Sequence, residues 1–285
     1  MKTGLVLEGG AMRGMYTAGV LDVMLEQQVQ VDAVVGVSAG AVFGCNYKSR
    51  QIGRTIRYNK AYCRDPRYMS IRSLIKTGDL FGEEFCYHEL PERLDPFDLE
   101  TFESNPVEFY VAATDVHTGK PVYHKCTDGK EEDLQWMRAS ASMPVVSRVV
   151  SVGGYELLDG GISDSIPVNW FRSQGYEKSI VVLTRAEGYR KKESAPNPAI
   201  SFALRKYPAM AQAMADRAVM YNRQLDEVER LQKAGEIFVL RPSSPITISR
   251  TERDPEKLQE VYDLGRKDAM SNLEAMKRFL QKSSL

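Results

Sequence analysis

The sequence predicts an α/β protein whose parallel sheet is covered by helices, and two observations favour this class. First, short apolar runs alternate with amphipathic stretches over residues 3–47 in the order strand, helix, strand, helix, which is typical of parallel sheets. Second, both of these strands end in a glycine-containing turn that leads directly into a helix. The chain has 285 residues, of which 43% are hydrophobic, so it is long enough to bury the core that such a sheet needs.

The spacing of apolar residues assigns the elements in chain order. Strands are expected at residues 3–7, 31–37, 107–115, 121–124, 179–184 and 237–240, with a hairpin formed by residues 148–152 and 155–158. Helices are expected at residues 15–27, 39–47 and 131–141, around 199–234 and from about residue 254. The apolar pattern of residues 50–105 is irregular, and this segment is expected to form helices and loops that cover the sheet. The prolines of residues 195–198 predict a loop.

Composition argues against several classes of function. Lys+Arg and Asp+Glu number 38 each, so no overall field favours nucleic acid, and no nucleic-acid partner is expected. The four cysteines are scattered, without the CxxC pairs of a zinc or redox site. The first apolar run is too short for a secretory leader, and no segment approaches the ~18 apolar residues of a spanning helix. We therefore expect a cytoplasmic protein with reduced cysteines.

A candidate nucleophile lies at the end of the second predicted strand. Residues 36–40 read Gly-Val-Ser-Ala-Gly, a G-x-S-x-G match between an apolar strand and a helix of small residues. This placement is typical of a nucleophile elbow. Gly36 and Gly40 let the strand and the helix pack closely, and the helix N-terminus favours a developing oxyanion. The motif predicts Ser38 as the nucleophile, with an ordinary helix N-cap as the alternative.

The first strand ends in a second glycine turn, Gly9-Gly10-Ala11-Met12-Arg13-Gly14. Its flexible backbone suits a nest of N–H groups that binds an anion, here an oxyanion beside the nucleophile. A nucleotide loop is the alternative, but a P-loop requires Lys where Met15 stands, and a dinucleotide turn requires Gly at position 11. Arg13 is expected either to add positive charge or to fix the loop by bonding its carbonyls.

A serine nucleophile needs a base, and the chain has only three histidines, His88, His117 and His124. In α/β-hydrolases the histidine follows the acid at the end of the chain order, yet no histidine follows residue 124. The possibility that one of these three histidines is the base stays open. By elimination we favour Asp159, which stands after an apolar pair and before Gly160-Gly161. Taken alone, Asp-Gly-Gly is more often a tight turn than a catalytic site.

These three motifs, in this order, resemble the patatin-like phospholipase family, in particular its bacterial cytoplasmic members. Residues 138–144, Arg-Ala-Ser-Ala-Ser-Met-Pro, also resemble the small-residue segment that precedes the aspartate in that family. The similarity spans about residues 3–184. Each motif is weak alone, whereas the ordered set is specific. The tail beyond residue 190 looks like the extension of bacterial members, which is a looser match.

The resemblance implies a three-layer α/β/α sandwich with a mostly parallel central sheet and C-terminal helices. It also implies a Ser–Asp dyad without histidine, in which Ser38 accepts the acyl group and Asp159 is the base. The oxyanion is expected at the backbone of Gly9, Gly10 and Ala11, with Arg13 supporting that loop. The chain departs from the family at Ala11, where glycine is usual. No metal and no organic cofactor are implied.

We therefore expect a serine acyl hydrolase of the lipase or phospholipase type, acting on acyl esters or phospholipids. Residues 1–190 are expected to form the catalytic domain. Residues 191–285 are expected to form a mainly helical extension that packs on the same domain or forms a small cap. A catalytically silent lipid-binding or scaffolding protein on the same fold is the alternative, and a nucleotide-binding protein is a more remote one.

Contact with a membrane is a further expectation that the sequence leaves open. Residues 54–76 mix Arg, Lys and Tyr in a way that suits transient contact with headgroups, at the inner membrane surface for a cytoplasmic protein. Met210 and Met214 are candidates to line an acyl channel. A solvated face and an ordinary helix core are the plainer interpretations of these two features.

Overall fold

A computed structural model describes residues 2–193 and 198–281 of the chain. Of the loop predicted at residues 195–198, all but the last residue lies outside the described part. The strands are β1 Thr3–Leu7, β2 Ala33–Val37, β3 Glu108–Asp115, β4 Pro121–Cys126, β5 Val150–Val152, β6 Tyr155–Asp159, β7 Lys178–Val182 and β8 Ile237–Leu240. They form one mixed sheet in the order β5-β6-β3-β2-β1-β7-β8, with β4 paired to β3.

The helices are α1 Met15–Glu26, α2 Ala39–Lys48, α3 Arg54–Tyr62, α4 Ile71–Thr77, α5 Leu99–Ser104, α6 Glu131–Ser140, α7 Val168–Ser173, α8 Pro198–Ala203, α9 Pro208–Lys233, α10 Pro255–Ser271 and α11 Leu273–Gln281. Short 3₁₀ turns cover Ala11–Gly14 and Gly160–Ile162, and Phe85–Leu94 form a π-helix. The helix predicted around residues 199–234 is divided into α8 and α9. Pro208 is the reason, because proline removes a helix-interior hydrogen bond and is favoured at a helix start.

The sheet is the middle one of three layers, because successive strand residues point to opposite faces. Leu5 and Leu7 pack into a large core that contains α1, α2 and α10, whereas Val6 between them packs into a second core with α7 and α9. The parallel pairings are those of β1 with β2 and β7, β2 with β3, and β7 with β8. The predicted three-layer α/β/α class is confirmed, with an antiparallel part formed by β4, β5 and β6.

Elements from the C-terminal part of the chain pack against the same sheet. Strand β8 extends it by pairing with β7, and α9 covers one face. On the other face α10 crosses α1 so closely that a Cβ on Gly265 would lie only 2.1 Å from the Tyr16 carbonyl oxygen. A Cβ on Gly19 would lie equally close, 2.1 Å, to the Tyr262 oxygen. Glycine at both positions therefore allows the two backbones to touch.

Strands β2 and β6 lie along the same edge of β3 and meet end to end. β3 pairs with β2 over residues 108–112 and with β6 over residues 113–115, while β4 occupies the opposite edge. β2 runs parallel to β3 and ends at Val37, opposite Ala112, whereas β6 runs antiparallel and ends at Asp159, opposite Ala113. Since Ala112 and Ala113 are consecutive, the residue after Val37 faces Asp159 across the gap between the strand ends.

Candidate active site

Ser38 occupies a strained turn between β2 and α2. Its backbone has φ 54° and ψ −122°, a region that non-glycine residues rarely adopt and that is commonly found at functional sites. Close packing enforces the turn: a Cβ on Gly36 would lie 2.4 Å from the Gly40 carbonyl oxygen, and one on Gly40 would lie 2.4 Å from that of Leu7. The two glycines are thus needed for the strand and helix to approach, and the serine projects at the sheet edge.

Asp159 is the last residue of β6 and is 2% exposed. Its Oδ1 accepts a hydrogen bond from the Gly161 N–H at 2.8 Å, and its carbonyl oxygen accepts one from Thr114 Oγ1 at 2.8 Å. Glycine is required next to it, because a Cβ on Gly160 would lie 2.1 Å from the Ala112 carbonyl oxygen. The Asp-Gly-Gly sequence is therefore a tight turn, and this turn holds the carboxylate against the strand that also supports the serine.

Burial raises the pKa of Asp159 above that of an ordinary aspartate. The positive charge of Arg217, hydrogen bonding with Ser38 and the N–H of Gly161 lower the pKa without cancelling the effect of burial. Arg217 comes from α9, and its Nε donates to the Gly161 carbonyl oxygen at 2.7 Å. A carboxylate whose pKa is raised is a better proton acceptor once it is ionised. The environment therefore suits a carboxylate base.

The small-residue segment 138–144 contacts both Ser38 and Asp159. Ser140 is fully buried; its Oγ accepts the Ser38 N–H at 2.8 Å and donates to the Ala112 carbonyl oxygen at 2.6 Å. Two residues later, the Ser142 carbonyl oxygen accepts the Asp159 N–H at 2.8 Å. This segment fixes the backbone at both residues, a role that sequence reasoning noticed only as a family pattern.

The first glycine turn lies directly beside Ser38. A Cβ on Gly9 would be 2.9 Å from the Ser38 Cβ, so only glycine lets the loop approach this closely. Within residues 2–193 and 198–281, the N–H groups of Gly9, Gly10 and Ala11 have no protein acceptor. Such free, neighbouring N–H groups form an anion-binding concavity. Ala11 has φ 49°, a left-handed conformation that explains why glycine suits this position better.

The end of the same turn packs against the helix that follows Ser38. A Cβ on Gly14 would lie 2.9 Å from the Ala39 Cβ and 2.9 Å from the Phe43 ring, so this glycine lets the turn rest on α2. Arg13 is 9% exposed and lines the cavity in front of Ser38. Its Nε is buried and has no hydrogen-bond partner among the described residues. Burial and the neighbouring Arg185 lower the pKa of Arg13 to about 10.

Two cavities meet at Ser38. The larger, of about 440 Å³, is mainly apolar; its lining includes Phe43, Tyr58, Phe81, Leu90 and Met214. Its volume is in the range of ligand-binding pockets. The smaller, of about 70 Å³, contains Asp159 and most of the charged groups of this region. Ser38 lines both cavities, together with Ala11, Met143 and Arg250. Met214 thus borders the apolar cavity, whereas Met210 is a fully buried core residue.

Several residues of the smaller cavity were missed by sequence reasoning. They are Glu8, Arg185, Tyr189, Lys191, Arg217, Tyr221 and Arg250. Glu8, which directly precedes the glycine turn, is 3% exposed; its carboxylate accepts bonds from Tyr221 Oη and the Thr184 N–H, both at 2.6 Å. Burial raises the pKa of Glu8, and the bond from Tyr221 opposes this. The four-residue spacing of Arg217 and Tyr221 was the one signal available, because it places both on one face of α9.

None of the three histidines lines either cavity. His117 Nε2 lies 2.6 Å from Glu156, His88 lies 3.6 Å from Glu92, and His124 Nε2 lies 2.8 Å from Asp133 Oδ1. Among the described residues, His124, Cys126 and Asp133 form the one group of three metal-ligand types, with ligand atoms within 4.8 Å of one another. The Asp133 Oδ2 already accepts three backbone N–H bonds, from residues 127–129. This group holds a loop and lies outside both cavities.

The fold and the site together define an α/β protein with a serine on a strained turn between a strand and a helix. A family model described as patatin-like phospholipase matches residues 5–171, more than half of the chain. The chain belongs to the patatin-like phospholipase family. A second family model, described as a domain of unknown function (DUF6363), matches residues 207–281. The predicted family is therefore confirmed, and the C-terminal match includes α9, α10 and α11.

Individual relatives cover different shares of the chain. The uncharacterized protein YjjU of Escherichia coli (strain K12) is 33% identical over 63% of this chain and 51% of its own length. The lysophospholipase nte1 of Aspergillus niger is 26% identical over 96% of this chain and 18% of its own length. The crystal structure of VipD from Legionella pneumophila superposes with a TM-score of 0.47 at 12% identity, over 96% of this chain and 67% of that one. The chain spans about half or less of the curated relatives it matches.

In the described part of the chain, no helix combines the length and the apolar character needed to cross a bilayer. The four cysteines, Cys45, Cys63, Cys86 and Cys126, are all free. Burial raises the pKa of the Cys45 thiol to about 11, so this thiol is protonated at neutral pH and suits a structural position rather than a reactive one.

Proposed function

We propose that the chain is a serine acyl hydrolase that cleaves lipid acyl esters through Ser38 and Asp159. One observation supports this above all: the strained serine and the buried aspartate face one another where β2 and β6 meet on a single edge of β3. The free N–H groups of the glycine turn lie beside the same serine. A nucleophile, a base and an anion-binding backbone thus converge on one point, which is the arrangement that acyl transfer requires.

The mechanism has two steps. Asp159 takes the proton of the Ser38 hydroxyl as its Oγ attacks the ester carbonyl carbon, and the oxyanion that forms is held by the N–H groups of Gly9, Gly10 and Ala11. The carbonyl re-forms as the alcohol leaves with a proton returned from Asp159. Water then attacks the acyl-enzyme by the same route, which releases the fatty acid and restores Ser38. No step requires a metal or an organic cofactor.

The apolar cavity is the proposed acyl pocket. It begins at Ser38 and holds about 440 Å³ between mainly aromatic and aliphatic side chains, so it suits a long acyl chain rather than an acetyl group. Val145, which also lines the cavity, is 43% exposed, and the pocket therefore reaches the surface near this residue. A relative named as a lysophospholipase supports a lipid ester as the substrate class.

A fluorophosphonate probe tests the nucleophile directly. Wild-type protein is expected to be labelled at Ser38, and Ser38→Ala is expected to be unlabelled. Ser163→Ala is a matched control, because Ser163 also adjoins the sheet but its Oγ pairs with Thr114 Oγ1 at 2.8 Å. Absence of labelling in the wild type, or equal labelling of Ser38→Ala, contradicts the hydrolase and favours a catalytically silent lipid-binding or scaffolding protein.

A p-nitrophenyl ester series from acetate to palmitate tests the acyl pocket. The ratio kcat/KM is expected to rise with chain length until the apolar cavity is filled, because each buried CH₂ contributes about 0.8 kcal/mol. Ser38→Ala and Asp159→Asn are each expected to lose about 10³-fold or more in kcat, the loss typical of removing a nucleophile or its partner. Flat dependence on chain length argues against this cavity as the acyl pocket.

We further propose a cytoplasmic protein that makes transient contact with a membrane surface through α4. Ile71 and Ile75 are 71% and 81% exposed on this helix, and the basic residues Arg72 and Lys76 flank them. Exposed apolar side chains next to basic ones are typical of interfacial helices. By contrast Tyr58 and Tyr68, which the sequence suggested for headgroup contact, are 5% exposed and line the apolar cavity.

Flotation with anionic liposomes tests this contact. Wild-type protein is expected to float, and the double variant Ile71→Asp/Ile75→Asp is expected to remain at the bottom. Met270→Asp is the matched control, because Met270 is 48% exposed but lies on α10, away from α4. A wild-type protein that stays at the bottom in all lipid mixtures excludes the membrane contact.

A further inference from the structure

Five cationic side chains converge on the small cavity beside Ser38. They are Arg13, Arg185, Lys191, Arg217 and Arg250. The acidic residues that line the same space are Glu8 and Asp159, and burial raises the pKa of both. The cavity is therefore strongly positive. Like charges packed together repel one another at considerable cost, so the cluster calls for a function beyond folding.

None of the five cations forms an ion pair within 4.0 Å among residues 2–193 and 198–281. By contrast Arg190, the neighbour of Lys191, lies 2.8 Å from Asp226 and 3.3 Å from Glu229. Arg13 lines the cavity and is more than nine-tenths buried, and its Nε has no hydrogen-bond partner within the described part of the chain. Buried charges are normally paired, and this unpartnered guanidinium thus points to an anion that comes from outside the chain.

The surroundings of Lys191 fit the same interpretation. Its backbone is tied to α9, because its N–H donates to Asn222 Oδ1 at 2.8 Å and its carbonyl accepts from Asn222 Nδ2 at 2.9 Å. Burial lowers the pKa of Lys191 to about 7. The charged groups that act on it are Arg217, Arg250, Glu8 and Arg185. The ammonium is therefore held among three guanidinium groups and one carboxylate.

We propose that this cluster is a phosphate subsite that binds the headgroup phosphate of the acyl ester, with preference for a phosphomonoester. The inference rests on the hydrolase function proposed above. The cavity of about 70 Å³ has room for about five water-sized groups. Gly9, Gly10 and Ala11 line it together with the cations, so the phosphate would lie directly beside the oxyanion position. A dianionic phosphate is favoured over a choline phosphodiester, because the choline ammonium would be repelled by the same cations. Arginine forks bind phosphate oxygens in pairs.

The position of the cluster relative to the other cavity supports a headgroup rather than an unrelated anion. Ser38 lines both spaces, so the apolar cavity and the cation-lined cavity both open at the serine. A lysophospholipid has the same layout, since its ester lies between the acyl chain and the glycerol phosphate. An ester placed at Ser38 with its chain in the apolar cavity therefore directs its phosphate toward the cluster.

The proposal also assigns a role to the C-terminal part of the chain. Arg217, Tyr221 and Arg250 all belong to residues 207–281, the region matched by the domain of unknown function. Arg217 and Tyr221 lie one helical turn apart on α9, and Tyr221 Oη bonds Glu8 at 2.6 Å. This region completes the anion side of a site whose serine, aspartate and glycine turn come from the first part of the chain.

Three esters with one palmitoyl chain test the preference: 1-palmitoyl-glycerol-3-phosphate, 1-palmitoyl-glycero-3-phosphocholine and 1-palmitoyl-glycerol. The wild type is expected to hydrolyse them in that order of kcat/KM. Lys191→Gln is expected to lower the ratio of kcat/KM for the phosphomonoester to that for the neutral ester by about tenfold, as when one charge-assisted hydrogen bond is lost. Arg250→Gln, at an exposed position, is expected to act in the same direction. Lys192→Gln removes the same charge from the adjacent exposed residue and is expected to leave the ratio unchanged.

Inorganic phosphate tests the anion site without catalysis. In Ser38→Ala, phosphate at constant ionic strength is expected to raise the midpoint of thermal unfolding, and adding Lys191→Gln and Arg250→Gln is expected to abolish the rise. Stabilisation by phosphate without a preference for the phosphomonoester indicates a free-phosphate site and overturns the headgroup proposal. Absence of both effects overturns the subsite altogether. A wild type that hydrolyses none of the esters refutes the proposed hydrolase, while the stabilisation by phosphate still decides whether the cluster binds an anion.

Discussion

Replacing Ser140 with alanine tests how the elbow is held in its strained shape. Ser140 is fully buried, and its Oγ is the acceptor for the Ser38 N–H at 2.8 Å. Alanine removes this acceptor without adding bulk, so the N–H is left buried without a partner. An unsatisfied buried donor costs about 1–3 kcal/mol, and we expect the free energy of unfolding to fall by about this amount.

The same substitution is expected to impair activity more than its effect on stability suggests. Ser38 has φ 54°, and a strained conformation persists only when its surroundings enforce it. Once the bond from its N–H is lost, the turn relaxes and the hydroxyl moves relative to Asp159. A displacement of about 1 Å costs about 10²-fold in rate. We therefore expect kcat for a p-nitrophenyl ester to fall about 10²-fold while the protein stays folded.

Urea denaturation followed by the fluorescence of Trp136 and Trp170 measures the stability, and the ester assay measures kcat. Ser142→Ala is the matched control, because the Ser142 hydroxyl donates to the Arg138 carbonyl oxygen at 2.8 Å and its main-chain bond to Asp159 is retained. We expect this control to change stability by less than about 1 kcal/mol. Wild-type stability and activity in Ser140→Ala would refute the role assigned to this hydroxyl.

Three further predictions follow from the site. Asp159→Asn is expected to abolish esterase activity without lowering thermal stability at pH 7. Because the pKa of Asp159 is raised in the folded protein, the ionised carboxylate destabilises the fold at a pH above that pKa, and this destabilisation is lost as the pH falls through it. A clear loss of stability of Asp159→Asn at pH 7 contradicts this. Ala11→Gly is expected to raise the free energy of unfolding by up to about 1 kcal/mol, measured in urea, because φ at Ala11 is 49°; destabilisation would show that the turn is not strained. Protection by sulfate, which stays a dianion over this range, is expected to weaken as the pH rises through about 7, where Lys191 loses its charge, whereas Lys191→Gln is expected to show a flatter profile; identical pH profiles exclude Lys191 from the subsite.

Most of the fold could be predicted because its strands and helices are encoded locally. β1 has the predicted bounds, Thr3–Leu7, and β8 has the predicted bounds, Ile237–Leu240. Helix α1 ends within one residue of the expectation, at Glu26. The elements that were not predicted also have a physical explanation. The π-helix Phe85–Leu94 contains Pro91, and a segment that combines proline with no clear period gives no helical pattern to detect. Its conformation depends on what it packs against.

The two halves of the proposed dyad differ in how they could be predicted. Ser38 and its turn are a local feature, because the strand, the glycines and the helix are contiguous. Asp159 could be selected only by elimination and by the family resemblance, since its position opposite Ser38 depends on the pairing of β6 with β3. A slip of one residue in that pairing would turn the side chain to the other face of the sheet. Register of this kind is a property of the assembled sheet, and a short motif does not specify it.

Apart from Arg13, the cations of the small cavity could not be predicted from the sequence, for a related reason. Arg217 is one of many basic residues on a long helix, and a face of α9 that carries Arg217 and Tyr221 looks like an ordinary solvated face in the sequence. Only the packing of α9 on the sheet directs these side chains at Asp159 and Glu8. Lys191 is similar, because its position depends on the two bonds to Asn222. Contacts between distant parts of the chain create the cluster.

Strained backbone and unpaired charge, which both oppose folding, are concentrated around the two cavities. Of the five non-glycine residues with positive φ among the described residues, Ala11, Ser38 and Val145 line the two cavities. Arg57 is paired with Asp95 at 2.7 Å, whereas the five cations of the small cavity have no ion-pair partner among residues 2–193 and 198–281. Local strain and unpaired charge persist in a native protein mainly at functional sites. A bound anion would relieve the repulsion between the cations but leave the backbone strain at Ser38 unchanged. The two kinds of cost therefore point to two separate tasks, binding of a charged group by the cations and chemistry at the strained serine.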